Sequence, residues 1–216
     1  MIEQHMNDAN AGERLRNGVQ ISIVGKPNVG KSSLLNILCR RPAAIVSPIA
    51  GTTRDTIEQH LDINGFPVRV IDTAGLRDAL QADEIELEGM KRTNDIANSS
   101  DLIIFLSTAE DSRDLTSLDT LKTSVCKELG ISDNNKALKI FVINKSDLLS
   151  EKIHSQFTEK LQVYDNVCLM SCTTKMGYDH FSQLLGDKVR NICTRDEGKN
   201  FVILNSGLQG KIESPS

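Results

Sequence analysis

Two glycines, a lysine and a serine stand together near the start of the chain, in the stretch GKPNVGKSSLLN. Gly25 and Gly30 are separated by four residues and are followed by Lys31 and Ser32, which matches the pattern G-x4-G-K-[ST] of a phosphate-binding loop. In such a loop, backbone N–H groups and the N-terminus of the next helix point at phosphate oxygens. The lysine spans the β and γ phosphates, and the serine hydroxyl ligates Mg²⁺. The pattern therefore predicts a site for a nucleoside triphosphate.

The sequence around this loop alternates short apolar strands with longer helical patterns. VQISIV, a buried strand candidate, leads directly into the loop, and Leu34, Leu35 and Leu38 follow it at helical spacing. Asn64 and Gly65 lie between two alternating runs and predict a hairpin, while DLIIFL, LKIFVI and NVCLMS predict further buried strands. The expected fold is α/β: a P-loop NTPase domain with a mostly parallel central sheet, one antiparallel hairpin strand and helices on both faces.

A second group of polar residues, in the stretch FVINKSDLL, follows a predicted buried strand. Asn144, Lys145 and Asp147 are therefore expected at the carboxyl edge of the sheet, where parallel sheets bind ligands. The Asp147 carboxylate can accept from both N1–H and the N2 amine of guanine, whereas adenine lacks that amine and carries an acceptor at N1. Because sites built on such a contact reject analogues lacking it by roughly 10⁴ to 10⁵, the pattern predicts GTP or GDP. Ser171 and Cys172, after the last strand, are expected to offer backbone N–H groups to the guanine O6.

Two further loops are predicted to complete the site and to sense the γ phosphate. In VIDTAG, Asp72 ends a strand and can hold Mg²⁺ through water, and the Gly75 N–H can reach the γ phosphate. In GTTRD, Thr53 is the candidate for a second hydroxyl ligand of Mg²⁺, beside Ser32. Loops that respond to the γ phosphate form a nucleotide switch. The predicted nucleotide-binding residues are Asn28, Val29, Gly30, Lys31, Ser32, Ser33, Gly75, Asn144, Lys145, Asp147, Ser171 and Cys172.

Length and composition narrow the class of protein further. With 216 residues, a net charge of −4 and a pI near 5.6, the chain predicts one globular domain without a large unaided nucleic-acid footprint. Five cysteines without a secretory signal favour a reducing compartment, and their spacing does not predict a thiolate metal site. The longest apolar runs are too short for a membrane span. The expected organisation is a flanking helical segment over 1–18, a nucleotide-binding domain over 19–193 and a disordered flank over 194–216.

Four motifs, in their order along the chain, carry a resemblance to a known family. GKPNVGKSSLLN, AAIVSPIAGTTRD, DTAGLRD and NKSD resemble the translation-factor-related GTPases that include Era and EngA. IELEGMKR and NAGERLRNGV narrow the resemblance to the G domain of the tRNA-modification GTPase MnmE (TrmE) family, over roughly residues 7 to 195. The resemblance implies hydrolysis of GTP to GDP and phosphate in the service of wobble-uridine (U34) modification of tRNA. IVSP and NKSDLL look more like the mitochondrial members, so a mitochondrial protein is expected in a eukaryote and a cytoplasmic one in a bacterium.

The residue after DTAG bears on hydrolysis. Many small GTPases carry a glutamine there that orients the attacking water, but this chain has Leu76, whose isobutyl group cannot do so. An acid downstream is the alternative. Matching IELEG to the Glu-x-x-Gly pattern of the resembled family places the catalytic role on Glu86, with Glu84 as the alternative because the loop before it is longer here.

The resemblance also implies a monovalent cation and partners. In the family, K⁺ beside the phosphates neutralises charge that develops between them, and it would be held here by Asn28 and by carbonyls around Ser47 and Ile49, with Thr52 nearby. The G domains of the family pair face to face when GTP is bound. The full-length proteins work with a flavoprotein, MnmG, on tRNA. Two alternatives remain: an Era- or EngA-like ribosome-assembly GTPase, and a nucleotide-dependent binding module with negligible hydrolysis of its own.

Overall fold

The computed structural model describes residues 18–40, 57–72, 94–112, 126 and 135–208; residues 195–208, Ile57 and Asp72 are described by their backbone alone. Within these residues one sheet has the strand order β2-β3-β1-β4-β5-β6. All neighbouring strands are parallel except β2 and β3, which pair in antiparallel fashion at one edge. This confirms the predicted sheet. The strands are β1 (Val19–Val24), β2 (Ile57–Ile63), β3 (Phe66–Asp72), β4 (Leu102–Thr108), β5 (Leu138–Asn144) and β6 (Val167–Leu169).

The hairpin between β2 and β3 has a two-residue turn at the predicted position. Asn64 and Gly65 both have left-handed backbones, with φ of 56° and 87°, as a type I′ turn requires. The Asp62 carboxylate accepts from the Gly65 N–H at 2.8 Å. The turn therefore matches the twist of the strands, and cross-strand pairing continues without interruption from Ile63↔Phe66 to Ile57↔Asp72.

Helices cover both faces of the sheet, as predicted. On one face, α1 (Lys31–Cys39) and α3 (Tyr178–Leu208) pack through a buried apolar cluster that also contains side chains of β1 to β5. On the other face, the helical segment 94–99 and α2 (Glu151–Leu161) lie against a second cluster. In that second cluster the rings of Phe105 and Phe141 stack with centroids 4.9 Å apart. Side chains therefore alternate between two cores along each central strand, which explains the nearly continuous apolar runs.

The last helix departs from the expected organisation. α3 begins at Tyr178, after Gly177 in the left-handed conformation with φ of 74°. Its backbone remains helical to Leu208, whereas disorder is predicted from residue 194 onward. No proline interrupts the chain over this range, and extending an existing helix by one residue costs far less than nucleating a new one. The predicted flanks 1–17 and 209–216 lie outside the described residues. Among the described residues, no helix is long and apolar enough to cross a membrane.

Candidate nucleotide-binding site

The loop between β1 and α1 surrounds the ammonium group of Lys31. This side chain is only 6% exposed, and Nζ donates to the carbonyl oxygens of Gly25 at 2.9 Å and Lys26 at 2.7 Å. Gly25 is required by close packing, because a Cβ there would collide with the backbone oxygen of Leu106. The charge predicted to meet phosphate is thus held in place by the loop itself.

The N-terminus of α1 supplies the remaining donors of a phosphate site. The Leu34 N–H donates to the Gly30 carbonyl at 2.9 Å and begins the helical ladder. The N–H groups of the first turn precede that ladder and carry the positive end of the helix dipole. Ser32 and Ser33 stand exposed in this turn, and no acidic residue does. The donor set therefore fits a phosphate group, and Ser32 is the described residue that could offer a hydroxyl to Mg²⁺.

The side-chain amide of Asn144 joins three segments at this edge of the sheet. Asn144 is 2% exposed, its Nδ2 donates to the Val29 carbonyl at 2.8 Å, and its Oδ1 accepts from the Cys172 N–H at 2.9 Å. Its own carbonyl accepts from the Ala109 N–H at 3.0 Å. Gly30 makes room for the amide, because it has φ of 106° and a Cβ there would collide with Asn144 Nδ2. Asn144 therefore positions the phosphate loop.

The loop after β6 uses its N–H groups differently from the prediction. The Ser171 N–H donates to the Met176 carbonyl at 2.9 Å, and the Ser171 hydroxyl accepts from the N–H groups of Thr173 and Thr174. The Cys172 N–H donates to Asn144. The prediction is that Ser171 and Cys172 offer these groups to the guanine O6, whereas in the described structure both N–H groups have acceptors within the protein. A tight turn closed by its own side chain consumes its donors.

The turn after β4 is a part of this edge that sequence reasoning missed. The Thr108 hydroxyl donates to the Asp111 carboxylate at 2.7 Å and accepts from the Asp111 N–H at 3.1 Å. The Ser112 hydroxyl donates to the Thr108 carbonyl at 2.8 Å. These bonds hold the turn so that its Ala109 N–H meets Asn144. The available signal was the pair of Thr108 and Asp111 three residues apart, which is typical of a side-chain-capped turn.

An open cleft of about 330 Å³ lies between the phosphate loop, the turn after β4 and the NKSD stretch. Asn28 and Lys145 line it from opposite segments, and both have left-handed backbones with φ of 62° and 61°. Asp147 is exposed in the adjoining short 3₁₀ turn Ser146–Leu148. The structure therefore brings the predicted phosphate-loop and base-recognition segments to one edge of the sheet. The remaining lining residues are Lys26, Pro27, Val29, Thr108, Ala109, Glu110, Asp111, Leu148 and Leu149.

Several predicted site residues lie outside the described part of the chain. The backbone of Asp72 is described, and its pairing with Ile23 sets it beside the end of β1 that leads into the phosphate loop. The residues outside the described ranges are Ser47, Ile49, Thr52, Thr53, Gly75, Glu84 and Glu86.

The cysteines near this edge are poor metal ligands. Burial raises the pKa of Cys168 to about 12. Burial also raises the pKa of Cys172 to about 11, with the hydrogen bond from Asn144 opposing this and the charge of Asp147 adding to it. Both thiols are therefore protonated at neutral pH, whereas a metal ligand must be a thiolate. Within the described ranges there is no group of three or more His, Cys, Asp or Glu side chains that could hold a metal ion.

Residues 20–145 match the family described as 50S ribosome-binding GTPase. This match spans more than half of the chain, and the chain therefore belongs to that family of GTPases. Guanine nucleotide is the ligand implied by this membership, in agreement with the motifs.

Curated relatives confirm the predicted resemblance to the MnmE family. The chain is 38% identical over 202 residues to the mitochondrial 5-taurinomethyluridine-[tRNA] synthase subunit GTPB3 of Danio rerio, covering 89% of this chain and 39% of the relative. It is 45% identical over 175 residues to the mitochondrial tRNA modification GTPase gtpbp3 of Dictyostelium discoideum, covering 77% of this chain and 33% of the relative. It is 44% identical over 176 residues to the tRNA modification GTPase MnmE of Rickettsia bellii, covering 79% of this chain and 37% of the relative. The chain thus spans less than two fifths of the length of these relatives.

A solved structure supports the fold alone. Era of Aquifex aeolicus, in a complex with GDP and AlF4⁻, superposes with a TM-score of 0.51 at 23% identity, covering 78% of this chain and 56% of that one. The α/β P-loop G domain predicted from the sequence is thereby confirmed.

Replacing Asn144 by Ala tests the role of the buried amide. The substitution leaves the Val29 carbonyl and the Cys172 N–H without partners, and each buried unsatisfied group costs about 1–3 kcal/mol. We expect the free energy of unfolding to fall by about 2–4 kcal/mol, and the affinity for a fluorescent GDP analogue to fall at least about tenfold. Urea unfolding and a nucleotide titration measure the two effects.

The matched control is Asn166→Ala. Asn166 donates to the Lys139 carbonyl at 3.4 Å, at the opposite edge of the sheet. This variant should lose little stability and keep its nucleotide affinity. An Asn144→Ala protein that binds GDP as tightly as the wild type would contradict the positioning role.

Proposed function

We propose that this chain is the GTP-binding and GTP-hydrolysing domain of a tRNA wobble-uridine (U34) modification GTPase. The observation that supports the proposal is the pair of hydrogen bonds made by the Asn144 side chain. They link the phosphate loop to the segments predicted to recognise guanine. The names of the relatives from Danio rerio, Dictyostelium discoideum and Rickettsia bellii support the tRNA assignment. The mitochondrial relatives favour a mitochondrial location in a eukaryote, and a bacterial protein of this type would be cytoplasmic.

The phosphate groups would bind along the loop between β1 and α1. Lys31 contributes a positive charge already held by two carbonyls, and the first turn of α1 contributes N–H donors. Ser32, Thr53 and Asp72 are the proposed residues around Mg²⁺, with Asp72 acting through a water molecule. When bound, the ion neutralises charge on the β and γ phosphates. Gly75 is the proposed donor to the γ phosphate.

Guanine recognition is assigned to Asp147. Its carboxylate stands exposed beside the cleft, in a turn whose backbone is held by the Ser146 N–H donating to the Met170 carbonyl at 3.1 Å. The aliphatic part of Lys145 lies at the same edge and can cover a face of the base. The guanine O6 would be met by a donor other than the Ser171 N–H, which is used within its own loop.

Hydrolysis needs a group that orients water, and Glu86 is the proposed residue, with Glu84 as the alternative. K⁺ is the proposed second cation, held by Asn28 and by the segment that contains Ser47, Ile49 and Thr52. Asn28 lines the cleft and is exposed. We further propose that two G domains pair when GTP is bound, and that the full-length protein acts with tRNA and an MnmG-like flavoprotein.

Replacing Asp147 by Asn tests the choice of base. The amide can no longer accept from both N1–H and the N2 amine of guanine, but it can donate to the carbonyl that xanthine carries at that position. We expect GTP affinity to fall by roughly 10² or more and affinity for xanthosine triphosphate to rise. Competition titrations against a fluorescent nucleotide measure both. Asp165→Asn, at an exposed position outside the site, should bind GTP as the wild type does; unaltered GTP affinity in Asp147→Asn would reject the assignment.

The cation proposal is tested by phosphate release in potassium chloride and in sodium chloride at equal ionic strength. We expect a potassium-specific acceleration of at least about tenfold in kcat, because a bound cation stabilises charge that develops in the transition state. Asn28→Ala should lose most of this difference while GTP still binds. Equal rates for the wild type in both salts, with GTP binding confirmed, would contradict the K⁺ site.

Replacing Glu86 by Ala should reduce multiple-turnover phosphate release by about 10² or more, since general-base or water-orienting groups contribute effects of that size. GTP affinity should remain within about twofold of the wild type, because this acid orients water and does not bind phosphate. Glu84→Ala is the matched comparison. If only Glu84→Ala lost turnover, the role would belong to Glu84; if neither variant lost it, both assignments would be rejected.

A further inference from the structure

The tip of the β2–β3 hairpin rests against the interior of α3. Gly186 is buried in this helix, and a Cβ added there would collide with the side-chain amide of Asn64. Glycine inside a helix is less favourable than alanine. The Asn64 amide occupies the space beside Gly186, so a side chain at position 186 would require the exposed Asn64 side chain to move. The turn and the helix therefore make a steric contact at a defined point.

The same two elements share an apolar core behind that contact. Leu61 and Ile63 of β2 are 5% and 1% exposed, and they belong to the buried cluster that contains Leu185 and Val189 of α3. Because cross-strand pairing is continuous along the hairpin, a shift at its open end would move the tip as well. Packed interfaces of this kind shift between discrete arrangements rather than deforming continuously.

The open end of the hairpin lies next to the loops predicted to sense the γ phosphate. β3 ends at Asp72, the proposed partner of Mg²⁺ through water, and β2 begins at Ile57, shortly after Thr53. At the other side of the contact, the backbone of α3 continues to Leu208, fifteen residues past Cys193, which is the last of its residues described as buried in the core. At 1.5 Å per residue this continuation extends roughly 20 Å. The hairpin thus connects the candidate nucleotide site to α3.

We propose that the Asn64–Gly186 contact couples the bound nucleotide to α3. The proposal rests on the proposed function, since it requires that the two γ-phosphate-sensing loops differ between GDP and GTP. The contact then has a different free energy in the two states, and the position or order of α3 changes with the nucleotide. Linkage makes the effect reciprocal: a change at the contact must alter the relative affinities for GDP and a GTP analogue.

The experiment measures the ratio of affinities for GDP and a non-hydrolysable GTP analogue, using the whole chain. Gly186→Ala places a methyl group against the Asn64 amide and should shift this ratio at least about threefold. Asn64→Gly keeps a left-handed turn residue and removes the amide, so the double variant should return the ratio toward the wild type. Gln183→Ala, at an exposed position one turn earlier in α3, is the matched control and should leave the ratio unchanged.

Hydrogen exchange supplies a second readout. In the wild type, the amides of α3 should exchange at different rates with GDP and with the analogue, and Gly186→Ala should reduce that difference. If Gly186→Ala changes stability but shifts both affinities equally, and leaves the exchange difference intact, the contact is packing alone and the coupling is rejected. If Gly186→Ala fails to fold, the Asn64→Gly variant alone tests the proposal. An unchanged ratio of GDP and analogue affinities in that variant, together with an unchanged exchange difference, would overturn the coupling. A wild-type chain that binds neither nucleotide would overturn the proposed function itself.

Discussion

The buried amide of Asn144 is the interaction on which the arrangement of the nucleotide edge depends. Its Nδ2 donates to a carbonyl of the phosphate loop, and its Oδ1 accepts from an N–H of the loop after β6. The backbone carbonyl of Asn144 accepts a hydrogen bond from an N–H of the turn after β4. These segments come from distant parts of the chain and have no helix or strand in common. In a poorly solvated environment each bond is stronger than at the surface, and each missing partner costs more. The site is therefore built around one polar side chain, and Gly30 makes the space that it needs.

Much of the fold could be predicted because its signals are local. The Asn64-Gly65 pair specifies a turn through its own backbone preferences, and the apolar runs of β4 and β5 specify strands covered on both faces. The phosphate loop was equally predictable, since its glycines, Lys31 and Ser32 lie within one short stretch of sequence. Composition alone does not predict the helical backbone beyond residue 193, because an established helix can propagate into residues that would not start one.

The contacts inside the site were less predictable because they depend on partners distant in sequence. The pattern NKSD indicates guanine recognition, but it does not reveal that the amide of Asn144 forms hydrogen bonds with Val29 and Cys172. The stretch MSCTTKMG indicates a loop with available N–H groups, yet the Ser171 N–H is consumed by Met176. A motif gives residue types at a position. Which hydrogen bonds they make is decided by the three-dimensional approach of other segments.

The outermost strands of the sheet, β2 and β6, affect how copies of this domain can associate. An exposed strand edge offers unpaired backbone groups to another chain, and proteins discourage this with short strands or charged side chains. β6 has only three residues, which is too little to template a stable added strand. β2 carries Glu58, His60 and Asp62 along its length, so a strand added there would meet ionisable groups. Extension of the sheet between molecules is therefore disfavoured at both ends, and this leaves the loops and helices as the surfaces through which the domain can meet other proteins without risk of fibrous aggregation.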